Sequence, residues 1–119
     1  MLKEKISTFI EKIQTIDGVA ASALVSRDGI IAGKSFDRDI NEPWFGALSA
    51  TILASAESAG SIIRMKSLES VTIRSPDYSI VLMGGGENFL IAAIVNSTAD
   101  SETVYSRMLD VAQTIGREL

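Results

Sequence analysis

The sequence predicts an α/β domain in which helices cover both faces of one five-stranded sheet, and three observations carry that prediction. Apolar residues recur at steps of three and four near both ends of the chain and in its middle, which is helix periodicity. Between them lie five short apolar or alternating runs, set off by Asp-Gly, Pro-Asp and Gly-Gly-Glu-Asn, which are strand and turn signals. Two of those runs are apolar on both faces, so the sheet needs a layer above it and a layer below.

The elements follow in order. Leu2, Ile6, Phe9, Ile10, Ile13 and Ile16 form one stripe, with Lys3, Glu4, Glu11 and Lys12 opposite, and Asp17-Gly18 stops this first helix. "ASALVS", Arg27-Asp28-Gly29 and "IIAGKS" read as a hairpin with strands near 19–26 and 30–35. The end of that hairpin, Gly33-Lys34-Ser35, is also how a phosphate loop ends. That motif requires a Gly five residues before Gly33, where Asp28 stands, and a helix directly behind the Lys, where "FDRDINEP" stands. The hairpin explains the residues and the nucleotide loop does not.

Asn41 or Glu42, then Pro43, starts a second helix from Trp44 to about Lys66. "ESVTIRS", 69 to 75, alternates like a strand near a sheet edge, its wet face carrying Glu69, Thr72 and Arg74. Pro76-Asp77 makes a turn. "YSIVLMG", 78 to 84, and "FLIAAIVN", 89 to 96, read as a hairpin of central strands around "GGEN". Asp100 or Ser101 caps the last helix, whose stripe is Val104, Tyr105, Met108, Leu109, Ala112, Ile115 and Leu119. Residues 1–119 read as one domain, long enough to bury a core without staples.

Composition narrows the function. The chain has no cysteine and no histidine, which removes thiol nucleophiles, disulfides, zinc-thiolate sites, triads and the commonest general base. The formal net charge is −4 with Lys and Arg scattered singly, unlike the basic stripe that nucleic acid requires. "MLKEKISTFIEK" mixes charges into its apolar residues and is not a signal peptide. The uncharged run 43 to 56 is too short and too rich in Ser and Thr to span a bilayer, so a cytoplasmic protein without membrane insertion is expected.

Three local candidates reduce to ordinary chemistry. "DRDINE" places Asp37, Asp39 and Asn41 like calcium ligands, but Glu42 and Leu48 stand where the loop needs Gly and a bidentate Glu. "GGG", 84 to 86, has no helix behind it to complete an anion site and reads as a permissive turn. Glu57 is a single carboxylate with no partner group in sight. No cofactor or metal is expected.

The second helix is the anomaly. Phe45, Leu48, Ile52, Ala56, Ala59 and Ile63 supply a stripe for the sheet, and the other faces ought to be charged. They carry instead Trp44, Ala47, Ala50, Thr51, Leu53, Ala54, Ser55, Ser58 and Ile62. A helix apolar nearly all round is buried nearly all round, and a domain this small has no further layer to bury it. Small residues four apart (Ala50, Ala54, Ser58) would let another helix approach. The sequence therefore predicts an interface between molecules at Trp44, Ala47, Ala50, Thr51, Ala54, Ser55, Ser58 and Ile62. The plainer reading is a weakly amphipathic helix whose Ala and Ser tolerate water.

With the opening helix ending in "IDGV", the "VSRDGIIAG" hairpin, the long small-residue helix and the closing apolar hairpin, the chain resembles the Roadblock family, which includes the dynein light chains of that name and the MglB-like regulators. The resemblance spans essentially the whole chain. It implies a mainly antiparallel sheet of order 2-1-5-4-3, the middle helix on one face and the terminal helices on the other. It implies a homodimer joined through middle helices and third strands, which adds Val71, Thr72 and Ile73 to the expected interface. It also implies a non-catalytic role, binding a small Ras-like GTPase on the paired helices without an inserted arginine finger. The middle helix agrees in having no Arg before Arg64. The alternatives are a small-molecule-sensing or multiprotein scaffold domain with no GTPase partner, and an enzyme using Glu57 or Tyr78. A sensor needs a cavity with convergent polar groups, and the Ala-lined strands promise few.

Overall fold

The structure is a computed structural model describing all 119 residues, Met1–Leu119. Three helices and five strands follow in the expected order: α1 (Leu2–Gln14), β1 (Val19–Ser26), β2 (Ile31–Ser35), α2 (Glu42–Ile62), β3 (Ser70–Arg74), β4 (Tyr78–Gly85), β5 (Phe89–Asn96) and α3 (Ser101–Glu118). The strands form one sheet of order β2-β1-β5-β4-β3, antiparallel at each pairing.

Alternation along the central strands divides the core into two layers. Leu24, Val81, Met83, Ile91, Ala93 and Val95 point toward α1 and α3, meeting Phe9, Ile13, Met108 and Ile115. Ala23, Val25, Leu82, Leu90 and Ala92 point the other way, onto Ala50 and Leu53 of α2. This is why β4 and β5 look apolar on both faces. The α2 layer is the smaller one, with 7 buried residues against 16.

Two boundaries differ from the sequence reading. The first helix ends at Gln14, although Ile16 is still buried and Gly18 takes the left-handed conformation at φ 100°. The second ends at Ile62 and not near Lys66. There the Met65 N–H donates to the Gly60 carbonyl at 2.9 Å and the Arg64 N–H to the Ser61 carbonyl at 3.1 Å. That is a glycine-type helix stop with Arg64 at φ 58° in glycine's place. No Gly marks the position, so the sequence carried no stop signal there.

Candidate functional site

The β1–β2 hairpin sets where α2 sits. Gly29 takes φ 91° in the turn, and its N–H donates to the Ser26 carbonyl at 2.9 Å. The first turn of α2 packs directly on this turn: a Cβ at Gly46 would stand 2.6 Å from the Gly29 carbonyl oxygen. Asn41 caps the helix, its side-chain oxygen accepting from the Trp44 N–H at 3.2 Å. Lys34 lies within strand β2 and pairs with Glu42 at the start of α2, so Gly33-Lys34-Ser35 is strand surface, as the hairpin reading expects.

A clasp that the sequence reading missed fixes the other half of α2. Arg27 Nη1 donates to Glu57 Oε1 at 3.0 Å, and Nη2 donates to the Gly86 carbonyl at 2.7 Å. Glu57 is therefore not the partnerless carboxylate the sequence suggested; its partner is thirty residues away and left no local signal. The glycine run serves the same packing. A Cβ at Gly84 would meet Arg27 Nη2 at 2.9 Å, and one at Gly85 would meet Ile115 at 2.9 Å. In the segment read as a failed calcium loop, Asp37 bonds Arg38, whose guanidinium lies 4.4 Å from the Tyr78 ring centre. That bond holds the Asp37 carboxyl below the usual range. No group of three or more acidic or other ligating side chains converges anywhere in the chain.

The helix orientation corrects the expected stripe. The sheet side of α2 is Gly46, Ser49, Ala50, Leu53 and Gly60, with Phe45 and Ile52 partly covered. Leu48, Ala59 and Ile63, assigned to the sheet by periodicity, face solvent. Ala50, assigned to the interface, is only 7% exposed and packs on the sheet. A helix apolar all round gives no phase to read, and the Gly46–Gly29 contact decides it.

The remaining expected interface residues do share one outer face. Trp44 is 64% exposed and Ile62 83%, and Ala47, Thr51, Ala54, Ser55 and Ser58 lie exposed between them. Leu48, 52% exposed, joins them. Thr51 Oγ1 donates to the Ala47 carbonyl at 2.8 Å, which satisfies the hydroxyl within the helix. β3 is an edge strand, as its alternation suggested. Val71 is half-buried on the α2 side and Ile73 exposed on it, while Thr72 points to the opposite face.

Taken together, an antiparallel five-stranded sheet of order 2-1-5-4-3 and a middle helix with an exposed small-residue ridge define a Roadblock-type α/β domain. The chain belongs to the Roadblock/LC7 domain family, whose model matches residues 5–95. Its fold matches MglB of Myxococcus xanthus with a TM-score of 0.88 at 13% identity, covering 97% of this chain and 87% of that one. A Roadblock/LC7 domain from Streptomyces avermitilis matches with a TM-score of 0.79 at 15% identity, over 91% and 92% of the two chains. An uncharacterized protein of Methanocaldococcus jannaschii is 23% identical over 91 residues, 76% of this chain and 77% of its own. No helix is long and apolar enough to cross a membrane.

Proposed function

We propose that the chain is a non-catalytic homodimer that regulates or scaffolds a small Ras-like GTPase in the cytoplasm, through a platform of two paired α2 helices. The observation that carries this reading is the outer ridge of α2, bulky at its ends and small in its middle. Trp44, Leu48, Thr51, Ser55, Ser58 and Ile62 recur at alternating steps of four and three, the spacing of a helix-pairing seam. The ridge is also self-complementary. In an antiparallel pair about a twofold axis level with Leu53, Trp44 faces Ile62 of the second copy, Leu48 faces Ser58 and Thr51 faces Ser55. Bulky ends clasp while a small-residue centre lets the helices approach, a packing logic best documented in lipid. The free edge of β3 offers backbone groups for strand pairing in the same dimer.

Membership of the Roadblock/LC7 family supports the GTPase half of the reading, since binding such GTPases is the typical role that the resemblance implies. Ras-like switch segments are ordered by the γ-phosphate and released on hydrolysis, so a platform touching them meets two shapes. It biases hydrolysis or exchange only by its difference in affinity for the two. The helical platform itself brings no arginine, the nearest unpaired one being Arg64 beyond its C-terminal end. Arg27 beside the helix is engaged by Glu57 and Gly86. Any acceleration then comes from reordering the GTPase's own residues and not from charge supplied in trans.

The test is to recover small GTPases from the native host on immobilised protein, in GTP-analogue and in GDP buffer, and then to follow single-turnover hydrolysis. Recovery should favour one nucleotide state and should fall in Trp44→Ala, since Trp anchors such surfaces. Equal recovery in both states leaves scaffolding as the function. Recovering no GTPase overturns the reading.

A further inference from the structure

The sheet face carrying α1 and α3 is not fully roofed. α3 lies over β4 and β5 and α1 over β1 and β2, so the β3 flank of that face stays open beside the first turns of α3. A cleft of about 390 Å³ occupies the gap, the size of a small-molecule site. Its floor is built by strand register. Arg74, Ser79 and Val95 stand in one row across β3, β4 and β5, and Thr72 and Val81 in the next row. Val104 and Tyr105 of α3 form the wall, and Tyr105 is fixed by donating its hydroxyl to Glu69 at 2.6 Å.

Apart from Ser75 and Tyr105, the polar groups of this cleft are unspent. The side chains of Thr72, Ser79, Asn96, Ser97 and Ser101 make no hydrogen bond within the chain. Arg74 and Glu102, the two charges lining the cleft, form no ion pair, either with each other or with another residue. The ion pairs of the chain lie elsewhere: Arg27 with Glu57, Lys34 with Glu42 and Arg38 with Asp37. An unpaired cation and an unpaired anion in one concavity suit a ligand that carries both complements. Valines interspersed with hydroxyls on the floor, together with opposed charges, give the convergent polar groups in an apolar setting that a binding pocket needs.

We propose that this cleft binds a small α-amino acid as its zwitterion. Arg74 takes the carboxylate through its planar fork of donors. Glu102 takes the ammonium, and the hydroxyls of Thr72, Ser79 and Ser97 bond the ligand's remaining polar atoms. The site lies on the sheet face opposite α2, so the inference goes beyond the GTPase reading and stands or falls without it. Strand pairing at the β3 edge uses backbone groups in the sheet plane and leaves Thr72 and Arg74 on their face.

The experiment is an amide NMR titration of the full chain with each common amino acid, and with acetate and methylammonium as the two half-ligands. At least one amino acid should give saturable shifts at Thr72, Arg74, Ser79 and Ser97, with an affinity roughly tenfold or more above either half-ligand, because each charge contributes a charge-assisted bond. Arg74→Ala and Glu102→Gln should each weaken that binding about tenfold while the rest of the spectrum is preserved. Both side chains are exposed, so neither change threatens the fold. Absence of saturable shifts with every amino acid overturns the proposal. So does binding that acetate or methylammonium matches, or that survives intact in both variants.

Discussion

Tyr105 shows how a single contact couples sequence-distant elements and gives them a pH signature. Its hydroxyl donates to the Glu69 carboxylate, tying α3 to the segment ahead of β3. That bond, and secondarily burial, raises the phenol's pKa above its ordinary 10.0. The folded state thus favours the protonated ring. Its stabilisation is fully present below the unfolded value near 10 and is lost as pH rises through the higher folded value. Tyr105→Phe should therefore cost under about 1 kcal/mol at neutral pH, because the pair is exposed and screened. The gap between wild type and variant, read from urea midpoints at about pH 7, 9 and 11, should narrow at the alkaline end. A gap unchanged across that range would remove Glu69 as the cause. Arg27 acts at the same scale with more at stake, since its guanidinium joins the β1–β2 turn, α2 and the β4–β5 turn.

At the scale of elements, the position of α2 rests on contacts made by absent side chains. The β1–β2 turn and the first turn of α2 approach so closely that a methyl group at Gly46 would strike backbone and not a flexible side chain. Gly46→Ala should therefore destabilise by about 1–3 kcal/mol, the usual penalty for forcing extra volume into a packed contact. Its helix propensity alone would predict the opposite sign, Ala being the better helix former by about 1 kcal/mol. A thermal melt decides between them: a higher melting temperature for the variant would mean that the turn moves freely and does not seat the helix. The same seat explains why Ala50 and Leu53, not Leu48 and Ile63, reach the sheet.

For the whole molecule, the exposed ridge of α2 and the unpaired edge of β3 lie side by side and predict a twofold partner. Light scattering at micromolar concentration should report about twice the 12.7 kDa chain mass. Ala54→Arg places an unpaired charge in the centre of that ridge, which costs several kcal/mol if the face is covered. The variant should become a monomer with its far-UV circular dichroism unchanged, because Ala54 itself is exposed. Ala50→Arg, one turn away and packed on the sheet, should instead fail to fold. A wild-type monomer at high concentration, or an Ala54→Arg chain that keeps the dimer mass, would show the ridge to be ordinary wet surface.

The sequence by itself determined every element, the two hairpins, the edge position of β3 and the presence of an unusually apolar middle helix. These are local properties: turn chemistry at Asp28-Gly29 and the glycine run, a proline-marked helix start, and periods of two and near four that any buried face imposes. It also gave the right answer on Gly33-Lys34-Ser35, because a phosphate loop needs a spacing that can be counted. What it could not give was phase and partnership. A helix apolar on all sides has no moment to orient it, so which face meets the sheet was decided by the Gly46–Gly29 approach, and Ala50 moved from the expected interface into the core. The Arg27–Glu57 pair and the cleft between Arg74 and Glu102 join residues about thirty positions apart. Their side chains are ordinary surface residues until the sheet register and the crossing of α3 bring them together, and only the tertiary structure decides that.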